Sequence, residues 1–231
     1  MKHRKTILLS ILMSYAFITI NSQDRKFAFF GSYNYGIGNL TAKENLTLLY
    51  PFADEAKKLK SGTIDQIELG ILYHSFGLGI IHNTYVTYAS TNYNYPAING
   101  SSFMNGTLSD KLILNFTGLE LLYKIPVFSK RFDLTCKIGI GLQSYTNNKD
   151  NIDLRGLYPS HDKYTLTGNN LTTMAGVEIN YQLWKILSIG IETSVLPSGH
   201  TKLTDTERPS YYSYSGNDTR LSTGLKIKIT I

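Results

Sequence analysis

Few side chains in this sequence have the means to do chemistry. They are His161 between Ser160 and Asp162, His200 near Ser198, and a set of glutamates and lysines set into otherwise apolar, alternating stretches. A hydroxyl, a histidine and an acid could run acyl transfer, with the histidine taking the hydroxyl proton and the acid orienting the ring. Neighbouring residues of one loop do not readily bring base and nucleophile within hydrogen-bond reach, so neither group is assigned a catalytic role. Cys136 sits inside an alternating run as a small apolar residue, and His74 and His82 have no chemical partner in sequence. No phosphate-cradling glycine loop and no HExxH motif occurs. A single cysteine excludes a disulfide framework and a cysteine-based zinc site. The expectation is therefore no catalytic residue, no metal site and no cofactor.

The glutamates and lysines need a scaffold, and composition restricts it. The chain is 42% hydrophobic and 12% aromatic, too apolar for a disordered polymer. Yet only 17% of it is charged, against roughly 25% in soluble domains. Lys2, His3, Arg4 and Lys5 followed by the apolar run Ile7 to Ile20 fit a secretory signal peptide over residues 1–22, leaving 23–231 as the mature domain. That run is too short to cross a bilayer as a helix. With it go Lys2, Arg4 and Lys5, so the formal charge falls from +6 to +3 and gives no ground for binding nucleic acid.

Past the signal the helical period is nearly absent and the period of two dominates. Phe132 to Tyr145 places Leu134, Cys136, Ile138, Ile140 and Leu142 on one face against Asp133, Thr135, Lys137, Gly139, Gly141 and Gln143 on the other. Seven further segments behave similarly: Lys26 to Ile37, Thr63 to Tyr73, Phe76 to Tyr88, Lys111 to Ile125, Leu171 to Leu183, Ile186 to Leu196 and Leu221 to Ile231. Their connections alternate. His74 to Ser75, Pro126 to Arg131 and Trp184 to Lys185 are tight turns, whereas residues 38–62, 89–110, 147–163 and 197–216 are long and rich in Asn, Ser, Thr, Tyr and Gly. The prediction is an all-β, eight-stranded antiparallel up-and-down transmembrane barrel with short periplasmic turns and four long extracellular loops. Closure leaves no unpaired strand edge in lipid.

The glycines separate this reading from a soluble barrel. Gly36, Gly70, Gly79, Gly118, Gly139, Gly141, Gly176, Gly190 and Gly224 all fall on the polar face, Gly31 being the main exception. Glycine on a solvated face costs entropy for no packing return, but small residues are needed inside a narrow bore. The polar face is then the lumen and the apolar face meets lipid. Tyr73, Phe76, Tyr123, Phe128, Phe132, Tyr181 and Trp184 gather at the short-turn ends, and Tyr33, Tyr35, Tyr88 and Phe116 toward the loop ends, as two interfacial girdles.

Counting inward from the short-turn ends puts Glu68, Glu120, Lys137, Glu178, Glu192 and Lys226 at nearly one height on the lumen face, with Arg220 higher and able to bend down. The expectation is a salt-bridge layer that plugs the bore, with an unmatched carboxylate either protonated or holding a cation. A gated or cation-selective pore is the alternative. Lys124 and Lys228, closer to the periplasmic mouth, are expected against headgroups or turns.

The signal, the eight strands, the loop asymmetry and the terminal strand Leu221 to Ile231 resemble the superfamily of small eight-stranded outer-membrane barrels of Gram-negative bacteria, the OmpA, OmpX, OmpW and PorT-like type. The resemblance spans the mature chain and is one of architecture. It implies residence in the outer membrane among lipid and lipopolysaccharide, and reading of the last strand by the barrel-assembly machinery. In that superfamily the last strand commonly ends in an aromatic, where this chain has Ile231. The related lipid A modifying barrels place His, Ser and an acid at the outer rim, a third possible role. The loops supply Tyr93 and Tyr95, and Tyr211, Tyr212 and Tyr214, among Asn and Ser. Such mixtures make adaptable contact surfaces. A helical charge order over Pro51 to Lys60 could cap the barrel. The reading is a monomeric, non-enzymatic barrel whose loops serve recognition, assembly or envelope integrity through an extracellular or envelope protein partner.

Overall fold

The computed structural model describes residues 27–41, 57–96, 103–126, 131–153, 160–197, 201–206, 213–216 and 219–231. The signal segment and the loop residues Tyr211, Tyr212, Ser198 and His200 lie outside these. The strands are β1 (Phe27–Leu40), β2 (Ser61–Tyr73), β3 (Phe76–Pro96), β4 (Phe103–Pro126), β5 (Phe132–Asp153), β6 (Ser160–Gln182), β7 (Leu187–Pro197), β8 (Thr201–Asp205), β9 (Ser213–Gly216) and β10 (Thr219–Thr230). Every pairing is antiparallel. Strands β1 to β7 run in sequence order, β10 pairs with both β7 and β1, and the β5–β6 ladder completes a closed wall of eight strands.

Following paired residues once around this wall leads from Phe27 through Tyr73, Phe76, Tyr123, Cys136, Val177, Thr193 and Thr223 back to β1 at Ile37, ten residues further along. Eight strands with that stagger tilt by about 40° and enclose a backbone radius of about 8 Å. Side chains just fill such a bore.

The pleat sorts the faces as alternation predicts. Leu69, Ile71, Leu78, Ile80, Leu119, Leu121, Ile138, Ile140, Leu142, Leu171, Ile179, Ile191 and Leu225 all point outward and are exposed. Corrected for tilt, this apolar belt is about 23 Å tall, close to the roughly 25 Å band of outer-membrane barrels. Cys136 is exposed on the same face. At the short-turn rim three cross-strand pairs stack: Phe27 on Tyr73, Phe76 on Tyr123 and Phe132 on Tyr181, with ring centroids 4.7, 5.0 and 4.8 Å apart. Tyr88 is exposed toward the other end, but Tyr33 and Tyr35, also exposed, pair with Ile227 and Leu225 of β10 at mid-belt and so do not belong to a loop-end girdle. Phe116 corrects the girdle reading. It is fully buried in the bore, because even-numbered residues of β4 face inward. Phe128 lies outside the described residues.

All nine glycines assigned to the lumen are on the inward face, and Gly36 opposes Gly224, Gly70 opposes Gly79 and Gly118 opposes Gly141 across adjacent strands. A Cβ at Gly36, Gly70, Gly118 or Gly141 would meet the neighbouring strand's backbone, so only glycine allows the wall to curve this tightly there.

Two of the long connections differ from the expectation. β3 and β4 stay paired as far as Pro96 and Phe103, and β5 and β6 as far as Asp153 and Ser160, so most of residues 89–110 and 147–163 is hairpin strand rising beyond the apolar belt. The apolar alternation stops there because the outward face leaves lipid. Cross-strand Asn–Thr bonds take over: Thr107 Oγ1 donates to Asn92 Oδ1 at 2.8 Å, and Thr165 Oγ1 to Asn148 Oδ1 at 3.0 Å. The fourth connection holds the β8–β9 hairpin, attached to β6. Over the mouth, the turn Lys57–Lys60 tucks Leu59 against Ala89 and Leu108, and Tyr85 Oη donates to the Leu59 carbonyl.

Candidate functional site

The bore is built in tiers. Nearest the short-turn rim, Phe30, Leu72 and Leu122 form an apolar cluster. Above it lies the charge layer, then Ile81, Phe116, Met174 and Leu196, and then Leu40, Ile64, Tyr85, Leu112, Leu114, Tyr145 and Leu166.

The structure brings Glu68, Glu120, Lys137, Glu178, Glu192 and Lys226 to one level, spread by about 4 Å along the axis once tilt is included. All six are buried. Lys137 Nζ lies 2.5 Å from Glu68, 2.9 Å from Glu178 and 2.7 Å from Glu192. Lys226 Nζ pairs with the same three, at 2.5 Å from Glu68, 2.9 Å from Glu192 and in close contact with Glu178. Glu68, Glu178 and Glu192 hold oxygens within 4.8 Å of one another, a spacing that could ligate a metal, but the two ammonium groups occupy the position between them.

A polar collar that sequence reasoning missed supplies further donors to Glu68, Glu178 and Glu192. Gln66 Nε2 donates to Glu68 at 2.6 Å and to Glu192 at 2.7 Å, Asn83 Nδ2 donates to Gln66 at 2.7 Å, and Ser32 Oγ donates to Glu68 at 2.8 Å. Asn180 Nδ2 bridges Glu178 and Asp133, at 2.9 Å from each. The signal was present in the sequence. Gln66, Asn180 and Lys228 each sit two residues from a member of the layer, which in a strand means the same face.

Two expectations need correction. Lys228 does not face headgroups. It is buried in the bore, donates to Glu178 Oε1 at 2.7 Å and lies 4.9 Å from the Phe30 ring centroid. Arg220 does not bend down to the layer. It stands roughly 14 Å higher along the axis, stacked 5.9 Å from the Tyr85 centroid, with Nε and Nη1 unpartnered among the described residues. Ile81, Phe116, Met174 and Leu196 fill the space between. Lys124 pairs with Asp133 at 3.0 Å by the rim.

Of the loop candidates, Tyr93 and Tyr95 lie on β3 beyond the belt and Tyr214 on β9. Ser160, His161 and Asp162 are consecutive positions on β6 paired with Asp153, Ile152 and Asn151. His82, exposed on the lipid face of β3, has Nδ1 2.8 Å from Thr117 Oγ1.

No protein-family model matches the chain, and no curated protein matches it in sequence. Solved structures do. A major outer membrane protein from Thermus thermophilus is 13% identical, with 89% of this chain and 99% of that one aligned at a TM-score of 0.53. The outer membrane protein OprG from Pseudomonas aeruginosa is 10% identical over 88% of this chain and 95% of its own, at 0.50. With the closed wall, the ten-residue stagger and the apolar belt, these likenesses give the chain the fold of the small eight-stranded outer-membrane β-barrels.

Proposed function

We propose that the protein is a sealed, non-enzymatic outer-membrane barrel that carries an extracellular β-platform for surface recognition, assembly or envelope integrity. The tiered filling of the bore supports this most directly: an ion-paired layer lies between apolar clusters, and a further apolar cluster lies beneath the mouth. The paired members of the layer, Glu68, Glu178 and Glu192 with Lys137 and Lys226, resist hydration, since breaking one pair strands its partner in a medium of low polarity. A solute path would have to displace both the ion pairs and the side chains stacked on them.

The platform reading rests on the four strands β3 to β6 that continue past the lipid belt and on the β8–β9 hairpin beside them. Backbone pairing with β4 sets the Tyr- and Asn-bearing positions of β3 in a fixed register, and a pre-formed surface lowers the entropy lost on binding. The bore is tested by liposome swelling with small sugars and amino acids. Protein-bearing vesicles are expected to swell no faster than empty ones, and rapid swelling would contradict the seal. For the platform, cross-linking in intact cells from a tag at residues 97–102 is expected to capture a defined envelope or extracellular protein. Capture of lipid alone would contradict it.

A further inference from the structure

The bore layer is one positive charge short. Glu68, Glu120, Glu178 and Glu192 face Lys137, Lys226 and Lys228, four carboxylates against three ammonium groups, while Asp133 and Lys124 pair separately at the rim. The deficit has an address. Glu120 is 1% exposed, and neither of its carboxylate oxygens has a hydrogen-bond partner among the described residues. The lysines cannot supply one from where they stand. An ammonium has three donors, and Lys137 and Lys226 each direct theirs at Glu68, Glu178 and Glu192, while Lys228 is engaged by Glu178. Arg220 is cut off by Ile81, Phe116, Met174 and Leu196.

The two strands beside Glu120 offer no side chain either. Its register partners are Gly79 on β3 and Gly139 on β5, and a Cβ at Gly79 would lie 2.8 Å from Glu120 Oε1. The carboxylate thus lies over bare backbone, in space that two glycines leave clear. An unpaired buried carboxylate is costly, and the layer as a whole lacks a single unit of charge. We propose that Glu120 is the binding position of one exchangeable monovalent positive charge, a proton or an alkali ion, that completes the balance of the layer. The site rests on the reading of the layer as a plug.

The test uses the full-length protein folded in detergent, with its unfolding midpoint read by Trp184 fluorescence and by heat-modifiable gel migration. One arm runs from about pH 6 to about pH 9 in choline chloride. The other holds pH fixed and replaces choline by sodium or potassium at equal ionic strength. The wild type is expected to shift by about 3 °C or more in one arm, a proton answering to the first and an alkali ion to the second. The shift is expected to vanish in Glu120→Gln, whose amide has no charge to balance. A midpoint that ignores both arms, or a Glu120→Gln response as large as the wild type's, overturns the proposal. Where Glu120→Gln does not fold, the carboxyl infrared spectrum of the wild type decides. An acid carbonyl band that fades with rising pH, or carboxylate bands displaced by alkali ion, supports the site, and bands that respond to neither overturn it. Failure of the plug would show separately, as bilayer conductance with the Glu120 response intact.

Discussion

Each of Lys137 and Lys226 is shared by Glu68, Glu178 and Glu192, so removing either amine leaves Glu68 and Glu192 with one of their two ammonium partners and Glu178 with two of its three. Lys137→Met and Lys226→Met are therefore each expected to cost about 3–5 kcal/mol, measured as a lowered temperature for conversion of the folded gel band. Arg220 sits in a different balance. It is equally buried, but two of its three nitrogens are unpartnered among the described residues, so Arg220→Met is expected to be neutral or stabilising in the same assay. Lys149, above the belt, gives a pH test. Burial pushes its amine below the ordinary value, and Asp110, 3.8 Å away, offsets this only in part. Between the folded and unfolded values the unfolded chain binds more protons, so stability rises with pH in that window. Lys149→Met is expected to abolish this alkaline rise, as followed by midpoints across alkaline pH.

At the scale of elements, the opposed glycines set where the wall can close. Gly141→Val would drive its side chain into the backbone of Thr117 and Gly118, and is expected to yield no heat-modifiable band. Removing the β3–β4 hairpin above Ala89 and Asp110 touches nothing in the belt and should leave that band and its conversion temperature nearly unchanged. The same division explains what the sequence made legible. The lower halves of the strands stood out because lipid demands an apolar residue at every second position, as in Leu134 to Leu142 and Leu225 to Ile231. The upper halves of β3 to β6 did not, since Asn92, Thr107, Asn148 and Thr165 are held by ladder bonds that leave no hydrophobic period. Counting from the short-turn ends found the layer because those ends form one rim. It failed for Lys228, where the bore turned out to be filled below the layer as well, and for Arg220, whose height no side chain can span.

For the molecule as a whole, the apolar belt and the filled bore make separate claims. Cys136, the single cysteine, is exposed on the belt. A fluorophore attached there is expected to be quenched by nitroxides on lipid acyl chains and not by an aqueous quencher, and the reverse would place this face in water. The seal is tested most directly by single-channel recording of the full-length protein in planar bilayers. Wild type is expected to show no sustained unitary conductance, while Lys137→Met and Lys226→Met, with the ion layer broken and only the stacked apolar clusters closing the bore, show brief openings. Steady high conductance in the wild type, unchanged in Glu120→Gln and Glu178→Gln, would contradict a sealed barrel.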